Sequence, residues 1–423
     1  MKSTVAMLRT RPETVLADMY RLMNLAGYQS ALPKDRDTGL KINISWHSFF
    51  PACSTPPWQL DGVVRSMIRD GYKRERLYGC HNRTVVVDAR LGERENKQIH
   101  VIEAHGLKNV HLYEGEEWIH IEDAFGNLDE LLVLPTVYKK GFYIPKRFIG
   151  NNILHLPTVK THVFTTTTGA MKNAFGGLLN EKRHWTHPVI HETLVDLLRI
   201  QQRIHSGIFA VMDGTFAGDG PGPRCMIPHV KNVILASADQ VAIDAAAAHL
   251  MGFDPLNDLK FVRLAHEHGL GCGDIKRLDI RGDGDLMEKP WNFVGPFRKM
   301  TFAARMQHRI YWGSLKKVME WSLRTILAPW SYMASIAYHD FFWYPFHQKR
   351  LNRALSSQWG RLFRNWEAVR IPSERLDAPG WPNAGKDPAR VPRQGIKLLL
   401  RSFRILFSAV RKAPEFEKKK RHR

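Results

Sequence analysis

The residues best suited to chemistry are concentrated in one stretch of the sequence, 151–180. Lys160 and His162 follow an apolar run, and Lys172 and Asn173 lie near the beginning of the next helix-forming segment. A lysine can bind a carboxylate or phosphate, a histidine can transfer a proton, and an asparagine can orient a polar group. Because the free N–H groups at a helix N-terminus also attract anions, this stretch predicts a site for a small anionic substrate.

Further polar residues are predicted to complete this site. Asp213 follows a strand-like apolar run, so we expect it at the carboxyl end of a strand, where open α/β sheets bind ligands. Asp244 lies well inside a predicted helix, and if it is buried we expect it to pair with a lysine of the stretch 151–180. The candidate catalytic residues are Lys160, His162 and Asp213. The candidate substrate-binding residues are Thr168, Lys172, Asn173 and Asp244.

The same residues also have a purely structural interpretation. Asp213 and Gly214 together form a common turn sequence, in which the carboxylate bonds to nearby backbone. Asn173 could satisfy backbone groups in the same way, and the lysines could lie in solvent. The sequence leaves both interpretations open.

The cofactor is not determined by the sequence. The four cysteines are widely separated and form no CxxC pair, so we predict neither an iron–sulfur cluster nor a zinc ribbon in this chain. His187 and His191 could share a helix face, but the glutamate of an HExxH motif is absent and Pro188 interrupts the pattern. We therefore predict no metal residue, and a divalent metal at these histidines is the alternative.

The elements that position these residues follow from the hydrophobic pattern. Strand-like runs alternate with helical segments through residues 1–287, and strands are expected at 41–46, 84–87, 110–113, 131–137, 153–156, 207–212, 232–236 and 278–280. Ser237 or Asp239 is expected to cap a helix that ends at Gly252. This alternation predicts an α/β fold, with a mostly parallel or mixed sheet, helices on both faces and a C-terminal basic helical extension.

Composition divides the chain into four parts. Residues 1–287 form a nearly neutral body, and most of the formal net charge of +21 lies beyond it. Residues 288–371 form a basic, aromatic, helical extension, residues 372–395 a Pro/Gly-rich linker, and residues 396–423 a basic amphipathic helix with its tail.

The basic C-terminal part indicates an anionic partner. Apolar residues recur at helical spacing in 396–410 with basic residues beside them, which favours an anionic membrane surface as the target of residues 289–423. Nucleic acid is the alternative, because interleaved Arg and Trp can stack on bases and contact phosphates. A third interpretation is that these helices pack on the body. A spanning helix at 325–346 is not expected, because prolines and polar residues interrupt it.

A family resemblance rests on several of these motifs. The segment from Leu156 to Gly176 reads L-P-x-x-K-T-H followed by T-x-x-x-A-x-K-N-x-x-G, and further matches include Asp213-Gly214 and Met251-Gly252-Phe253. This combination resembles the signature of the domain-of-unknown-function 362 family over roughly residues 40–282. The resemblance implies an α/β fold without a settled biochemical role, often joined to an iron–sulfur module, and hence a redox partner protein. This chain has no cysteine-rich module, and the basic extension takes that place.

Together these features lead to two functional hypotheses. The first is an enzyme that acts on a small anionic substrate, a carboxylate or a phosphate, while its basic tail contacts a membrane surface or a complex. The second is a non-enzymatic ligand-binding scaffold or assembly factor. The scattered cysteines and the charged N-terminus predict a cytoplasmic protein, peripheral at the inner face of the membrane.

Overall fold

The computed structural model describes residues 3–84, 86–298, 300–317 and 328–366. Its strands, numbered β1 to β12 in chain order, are Ser3–Arg9, Thr38–Ile42, Leu77–His81, Lys108–His111, Trp118–His120, Tyr143–Pro145, Asn152–Leu156, Thr158–His162, Thr166–Thr167, Gly207–Asp219, Ile227–Ser237 and Leu278–Gly282. Its longer α-helices are Val15–Leu25, Pro57–Arg69, Ala89–Glu95, Gln98–Ala104, Ile190–Ile204, Gln240–Met251, Lys260–Glu267, Phe302–Tyr311, Ala328–Ile336, Gln348–Leu355 and Gln358–Asn365. A 3-10 segment covers Glu181–Val189 and a π-helix covers Ala337–Trp343.

One large sheet organises the molecule, in the strand order β12-β1-β11-β10-β7-β2-β3-β4. The strands β10, β7, β2, β3 and β4 are parallel to one another, whereas β11 is antiparallel to both of its neighbours. β8 follows β7 and pairs with the distal half of β10, and β9 pairs with β8. This mixed, mostly parallel sheet confirms the predicted α/β fold.

Helices cover both faces of the sheet. In β7 the side chain of Leu154 belongs to the core on one face and that of Ile153 to the core on the other, as the two-residue period of a strand requires. Helix Pro57–Arg69 packs on the first face. Helices Ile190–Ile204 and Gln240–Met251 pack on the second. Such double burial explains why the central strands are apolar runs without polar alternation.

Several local predictions are wrong. Asp213 does not lie at the carboxyl end of its strand, and the alternative Asp-Gly turn does not form either, because β10 continues to Asp219 and pairs with β11 on both sides of a register shift between Gly214 and Phe216. The strand expected at 84–87 is an isolated bridge between Thr84 and Val87. The strand expected at 131–137 is instead a short helix, Leu134–Val137. The backbone N–H groups of Leu132, Val133 and Leu134, which precede and begin this helix, donate to the carboxylate of Asp196 and so are satisfied without a strand partner.

The predicted helix after β11 is confirmed. The side chain of Asp239 accepts hydrogen bonds from the backbone N–H groups of Val241 and Ala242. The helix ends at Gly252, whose φ of 97° is the left-handed conformation that a glycine adopts readily.

The described part of the C-terminal extension packs against the body. Trp343, Trp359 and Trp366 are buried in the same core as helix Pro57–Arg69. The indole N–H of Trp359 donates to Asn232 Oδ1 at 2.7 Å. These aromatic side chains therefore contribute to the interior of the protein. The linker predicted at 372–395 and the amphipathic helix predicted at 396–410 lie outside the described residues.

None of the described helices has both the length and the apolar character that crossing a bilayer requires.

Candidate functional site

A cavity of about 610 Å³ lies where several strands end. β2 and β3 are parallel, so their carboxyl ends reach the same edge of the sheet, and Ile42 and His81 line the cavity there. His162, the last residue of β8, also lines it. Helix Phe302–Tyr311 and the residues around Tyr338 also line the cavity. The body and the C-terminal extension thus both contribute to its lining.

Three basic side chains form what we call the cationic wall: Lys41, Lys172 and Arg183. Lys41 is buried, and its Nζ donates to Ile42 O at 2.6 Å. Neither lysine forms an ion pair with a carboxylate in the described part of the chain, and the lining residues that the structure describes include no Asp or Glu. Burial lowers the pKa of Lys41 to about 8 and that of Lys172 to about 8, and the charge of Arg183 contributes in the same direction.

The orientation of Arg183 is fixed by backbone carbonyls. Its guanidinium donates to Leu179 O at 3.3 Å and to Arg83 O at 2.9 Å. A second arginine, Arg224, lines another part of the cavity, and its buried Nη1 has no hydrogen-bond partner among the described residues. Asp340 acts electrostatically on Arg224, whereas no carboxylate does so for Lys41 or Lys172. Within the described residues, Lys41 and Lys172 are therefore the lysines of the cavity whose positive charge is not paired with a carboxylate.

His162 contributes a neutral imidazole to the cavity. The backbone N–H of Phe164 donates to His162 Nδ1 at 3.1 Å, so the ring proton lies on Nε2. Burial, with Lys172 adding to it, lowers the pKa of His162 well below its usual range. In this tautomer His162 is a hydrogen-bond donor at Nε2 and cannot accept a proton there.

The helix beginning at Ala170 does not offer its N-terminus to a ligand. Asp244 accepts hydrogen bonds from the backbone N–H groups of Ala170 at 2.6 Å and Met171 at 3.1 Å. A Cβ at Gly169 would lie 2.0 Å from Asp244 Oδ1, so only glycine permits this approach. The expected pairing of Asp244 with a lysine is wrong, because its carboxylate binds the helix N-terminus instead. Burial raises its pKa to about 7, against the lowering effect of the two amides.

Asn173 lines the cavity and also holds one of its walls. Its Nδ2 donates to Lys41 O at 2.8 Å, which ties the short helix Ala170–Asn173 to the end of β2. The amide therefore satisfies backbone, as the structural interpretation proposed, and in doing so it brings Lys172 and Lys41 to the same wall.

The other residues proposed from the sequence lie outside the cavity. Lys160 Nζ donates to Cys53 O at 2.7 Å and to Thr158 Oγ1 at 2.8 Å. Asp213 accepts from Trp58 Nε1 at 3.0 Å and from Thr215 Oγ1 at 2.9 Å. Burial lowers the pKa of Lys160 to about 7 and raises that of Asp213 to about 7.

The structure thus divides the seven candidate residues into two groups. His162, Lys172 and Asn173 line the cavity, whereas Lys160, Thr168, Asp213 and Asp244 do not. The backbone N–H of Thr168 donates to Lys160 O, and its hydroxyl faces Thr158 O at 3.4 Å. Sequence reasoning missed Lys41, Arg183 and Arg224. A lysine within the predicted strand at 41–46, beside the apolar residues that mark it as buried, was the available signal for Lys41.

Two groups of histidines are candidates for binding a metal ion. His187 Nδ1 hydrogen-bonds to His184 O at 2.9 Å, and His191 stacks on Phe261, so both rings of the pair considered from the sequence have contacts within the protein. Within the described ranges, the group whose atoms could hold a metal is His81, Glu93 and His111. No sequence spacing indicated it, because its members come from three separate elements.

Comparisons with known proteins give a family match and one distant relative. Residues 39–249 match the family described as "Domain of unknown function (DUF362)". A thylakoid-associated protein of Synechocystis sp. is 26% identical over 106 residues, which are 24% of this chain and 33% of that protein. The chain therefore spans about a third of that relative's length. No solved structure matches this chain.

Proposed function

The chain belongs to the domain-of-unknown-function 362 family, and we propose that it is an enzyme whose small anionic substrate binds at the cationic wall of the cavity. The observation that carries the proposal is the pair of lysines, Lys41 and Lys172, which line one cavity without a carboxylate among its described lining residues. A carboxylate or phosphate from outside would provide the missing negative charge.

The physical argument rests on the cost of burying a charge. An ammonium group in a low-dielectric interior loses several kcal/mol of solvation unless it is paired. The protein compensates Lys41 with one carbonyl, from Ile42, and the Nζ of Lys172 lies 5.4 Å from the centre of the Phe175 ring. Binding an anion would restore the lost interaction and raise the pKa of both lysines. In the free protein the lost solvation of these two ammonium groups is therefore only partly compensated, and an anionic ligand would supply the missing interaction.

The wall of the cavity that the C-terminal extension lines indicates that the substrate also has an apolar part. We call this wall the apolar lid, and its apolar members include Phe302, Ala303, Met306, Ile310 and Leu315. The cavity volume of about 610 Å³ lies within the range typical of small-molecule sites, and is larger than a bare phosphate requires. A ligand with an anionic head at the cationic wall and a hydrocarbon part against the lid fits both surfaces.

His162 provides the chemistry that we assign to this site. Its Nε2–H can donate to an oxygen on which negative charge develops, and a neutral imidazole is suited to that role. Lys172 can stabilise the same charge, since both side chains line the cavity and act electrostatically on each other. The proposed reaction class is one in which an oxyanion forms beside an anionic head group.

A non-enzymatic function has its own support. The candidate catalytic residues Asp213 and Lys160 are both occupied by internal hydrogen bonds outside the cavity. A site with cations and a donor but no described carboxylate could hold a ligand without transforming it. The second candidate function is therefore a ligand-binding scaffold or assembly factor.

We further propose that the extension brings the mouth of the cavity to an anionic membrane surface. Arg305, Arg309, Lys316 and Lys317 are exposed, and residues 300–317 include no acidic residue. Phe302 and Leu315 line the cavity and are also exposed, 69% and 38% respectively. Basic side chains beside exposed apolar ones suit a lipid interface. The thylakoid association in the relative's name is in keeping with a membrane location.

The membrane proposal is tested by co-sedimentation with vesicles. We expect the full chain to bind phosphatidylglycerol vesicles more than phosphatidylcholine vesicles, and the double variant Lys316→Glu/Lys317→Glu to bind less. The matched control is Lys276→Glu/Arg277→Glu, which changes two exposed basic residues of the body. Equal losses in both variants, or a stronger effect on nucleic-acid binding than on lipid binding, would contradict the proposal.

The ligand proposal is tested by calorimetry with three matched probes: decyl phosphate, decanoate and decanol. We expect both anions to bind and decanol to bind at least about tenfold more weakly, which corresponds to one charge-assisted hydrogen bond. If decanol binds as tightly as the anions, the cavity is an apolar site and the proposal fails. Turnover of a bound anion that is lost in His162→Gln with binding retained would distinguish the enzyme from the scaffold.

A further inference from the structure

A buried cluster of two histidines and a glutamate lies beside the cavity. His81 and His111 are the last residues of the adjacent parallel strands β3 and β4, and they are register partners. Glu93 comes from helix Ala89–Glu95. We propose that these three side chains bind one divalent metal ion.

The first argument is convergence. The ligand atoms of the three side chains all lie within 4.8 Å of one another, and all three residues are buried. The Nε2 atoms of His81 and His111 both face the same carboxylate oxygen, Glu93 Oε1, and that of His111 is 2.8 Å from it. Metal–ligand distances of about 2.0–2.2 Å place the ligands of one ion within a few ångströms of each other. Small side-chain movements would therefore suffice to admit an ion.

The second argument is the hydrogen bonding of His111. Its Nδ1 faces Glu114 Oε2 at 3.6 Å, and its Nε2 lies 3.4 Å from Asn109 Nδ2, an amide donor. These contacts place a carboxylate near Nδ1 and an amide donor near Nε2, as suits the tautomer with the proton on Nδ1 and a lone pair on Nε2. That lone pair and Glu93 Oε1 would then be two acceptors facing each other, which a cation between them reconciles. A carboxylate behind a ligating histidine is also the usual outer partner in metal sites.

The third argument concerns His81. Its Nδ1 is buried without a hydrogen-bond partner in the part of the chain that the structure describes. If Nε2 binds the metal, Nδ1 carries the ring proton and needs an acceptor. His81 also lines the cavity, so an anionic ligand there could accept this hydrogen bond. The proposed metal would thus lie at the edge of the cavity that contains Lys41.

The donor set limits the identity of the metal. Two imidazoles and one carboxylate leave coordination positions open for water or a ligand, as in catalytic zinc sites and non-haem iron(II) sites. Imidazole nitrogens favour zinc, iron(II), cobalt or nickel over calcium and magnesium. The metal site uses residues other than the cationic wall, so it does not depend on the anion proposed for the cavity.

Cobalt(II) binding tests the proposal, because cobalt replaces zinc or iron and reports its own coordination by visible absorption. The full chain is treated with a chelator, returned to metal-free buffer and titrated with cobalt chloride, with calorimetry in parallel. We expect one cobalt per chain, visible absorption of a site with nitrogen and oxygen ligands, and a cobalt-dependent rise in Tm. A hydrogen-bonded cluster without a metal function would give none of the three.

Variants locate the site. Glu93→Gln and His111→Gln are expected to lose the stoichiometric cobalt signal, and His184→Gln, a cavity-lining histidine outside the cluster, is expected to keep it. Absence of stoichiometric binding in the wild-type chain, or its retention in both cluster variants, would overturn the proposal. If Glu93→Gln does not fold, the wild-type titration and His111→Gln remain decisive. Lys41→Met, which should weaken anion binding but keep cobalt binding, separates this proposal from the proposed function.

Discussion

Lys41 and Lys160 lie in strands of the same sheet, both are buried, and burial lowers the pKa of both ammonium groups. Their partners differ. Lys160 Nζ donates to Cys53 O and Thr158 Oγ1 and lies outside the cavity. Among the described residues, Lys41 Nζ donates to a single carbonyl, and it lies on the cationic wall with Lys172. One lysine is a structural link between strand and loop, and the other is charged, buried and under-compensated.

The comparison teaches that burial and a shifted pKa do not by themselves identify a functional group. Both lysines have these properties, and only the inventory of hydrogen-bond partners separates them. Where the protein supplies the acceptors, the side chain stabilises the fold. Where it does not, and a cavity is present, the missing acceptor is expected from a ligand.

The largest expected effect is on anion affinity. Replacing Lys41 and Lys172 together by Met should weaken decyl phosphate binding by about 100-fold or more, because each charged hydrogen bond contributes roughly 1.5–3 kcal/mol. Lys160→Met should change the affinity by less than about threefold, since its ammonium does not reach the cavity. Calorimetry measures both. Comparable losses in the two proteins would remove the distinction between the lysines.

The order of the two lysines should be reversed for stability: Lys160→Met should lower the free energy of unfolding more than Lys41→Met. Lys160→Met leaves Cys53 O and Thr158 Oγ1 without their donor, so the free energy of unfolding should fall by about 2 kcal/mol. Lys41→Met removes an under-compensated charge and loses one hydrogen bond, so the free protein should be equally or more stable. Urea denaturation of both variants at neutral pH provides the measurement. A larger loss in Lys41→Met would mean that the protein itself compensates this charge.

Anion affinity should depend on pH in a defined direction. Burial lowers the pKa of Lys41 and Lys172 to about 8 in the free protein, and a bound anion would raise both. Both lysines are therefore protonated in the free protein at pH values well below 8, where affinity should be flat. Above about pH 8 affinity should fall, by up to about tenfold per pH unit for each lysine that loses its proton. Decyl sulfonate, whose charge is constant over this range, is the suitable probe, and a flat profile to pH 10 would exclude these lysines.

The smallest effect is expected at the apolar lid. Ile310→Ala removes part of the lid without touching the cationic wall, and should weaken decyl phosphate binding by about three- to tenfold. Binding of inorganic phosphate should not change, because it does not reach the lid. If both probes lose affinity equally, the effect comes from disturbed folding of helix Phe302–Tyr311.

Much of the fold could be predicted from the sequence. The strand and helix pattern gave an α/β architecture because both faces of a central parallel strand are buried and its residues are correspondingly apolar. The cap of helix Gln240–Met251 at Asp239 and its end at Gly252 could be predicted because they depend on local backbone geometry. The strand prediction for 131–137 was wrong because the partner of its N–H groups, Asp196, is distant in sequence.

The candidate site was only partly predictable. His162, Lys172 and Asn173 lie in one short stretch of the chain and all line the cavity, so they could be predicted from local sequence. Lys41 and Arg183 join them only because β2 and the segment Glu181–Val189 fold against the same edge. The residues of the apolar lid belong to the basic extension, for which composition alone predicted an anionic partner outside the protein.

The sequence by itself determined the fold class, the nearly neutral body, the basic C-terminal part and the family motifs, because these depend on local pattern and composition. Only the tertiary structure decided which charged residues face the cavity and which are satisfied inside. Internal hydrogen-bond partners satisfy Lys160, Asp213 and Asp244, whereas Lys172 lines the cavity. The physical reason is that hydrogen-bond satisfaction depends on atoms brought together from distant parts of the chain. The convergence of His81, Glu93 and His111 from three elements follows the same rule.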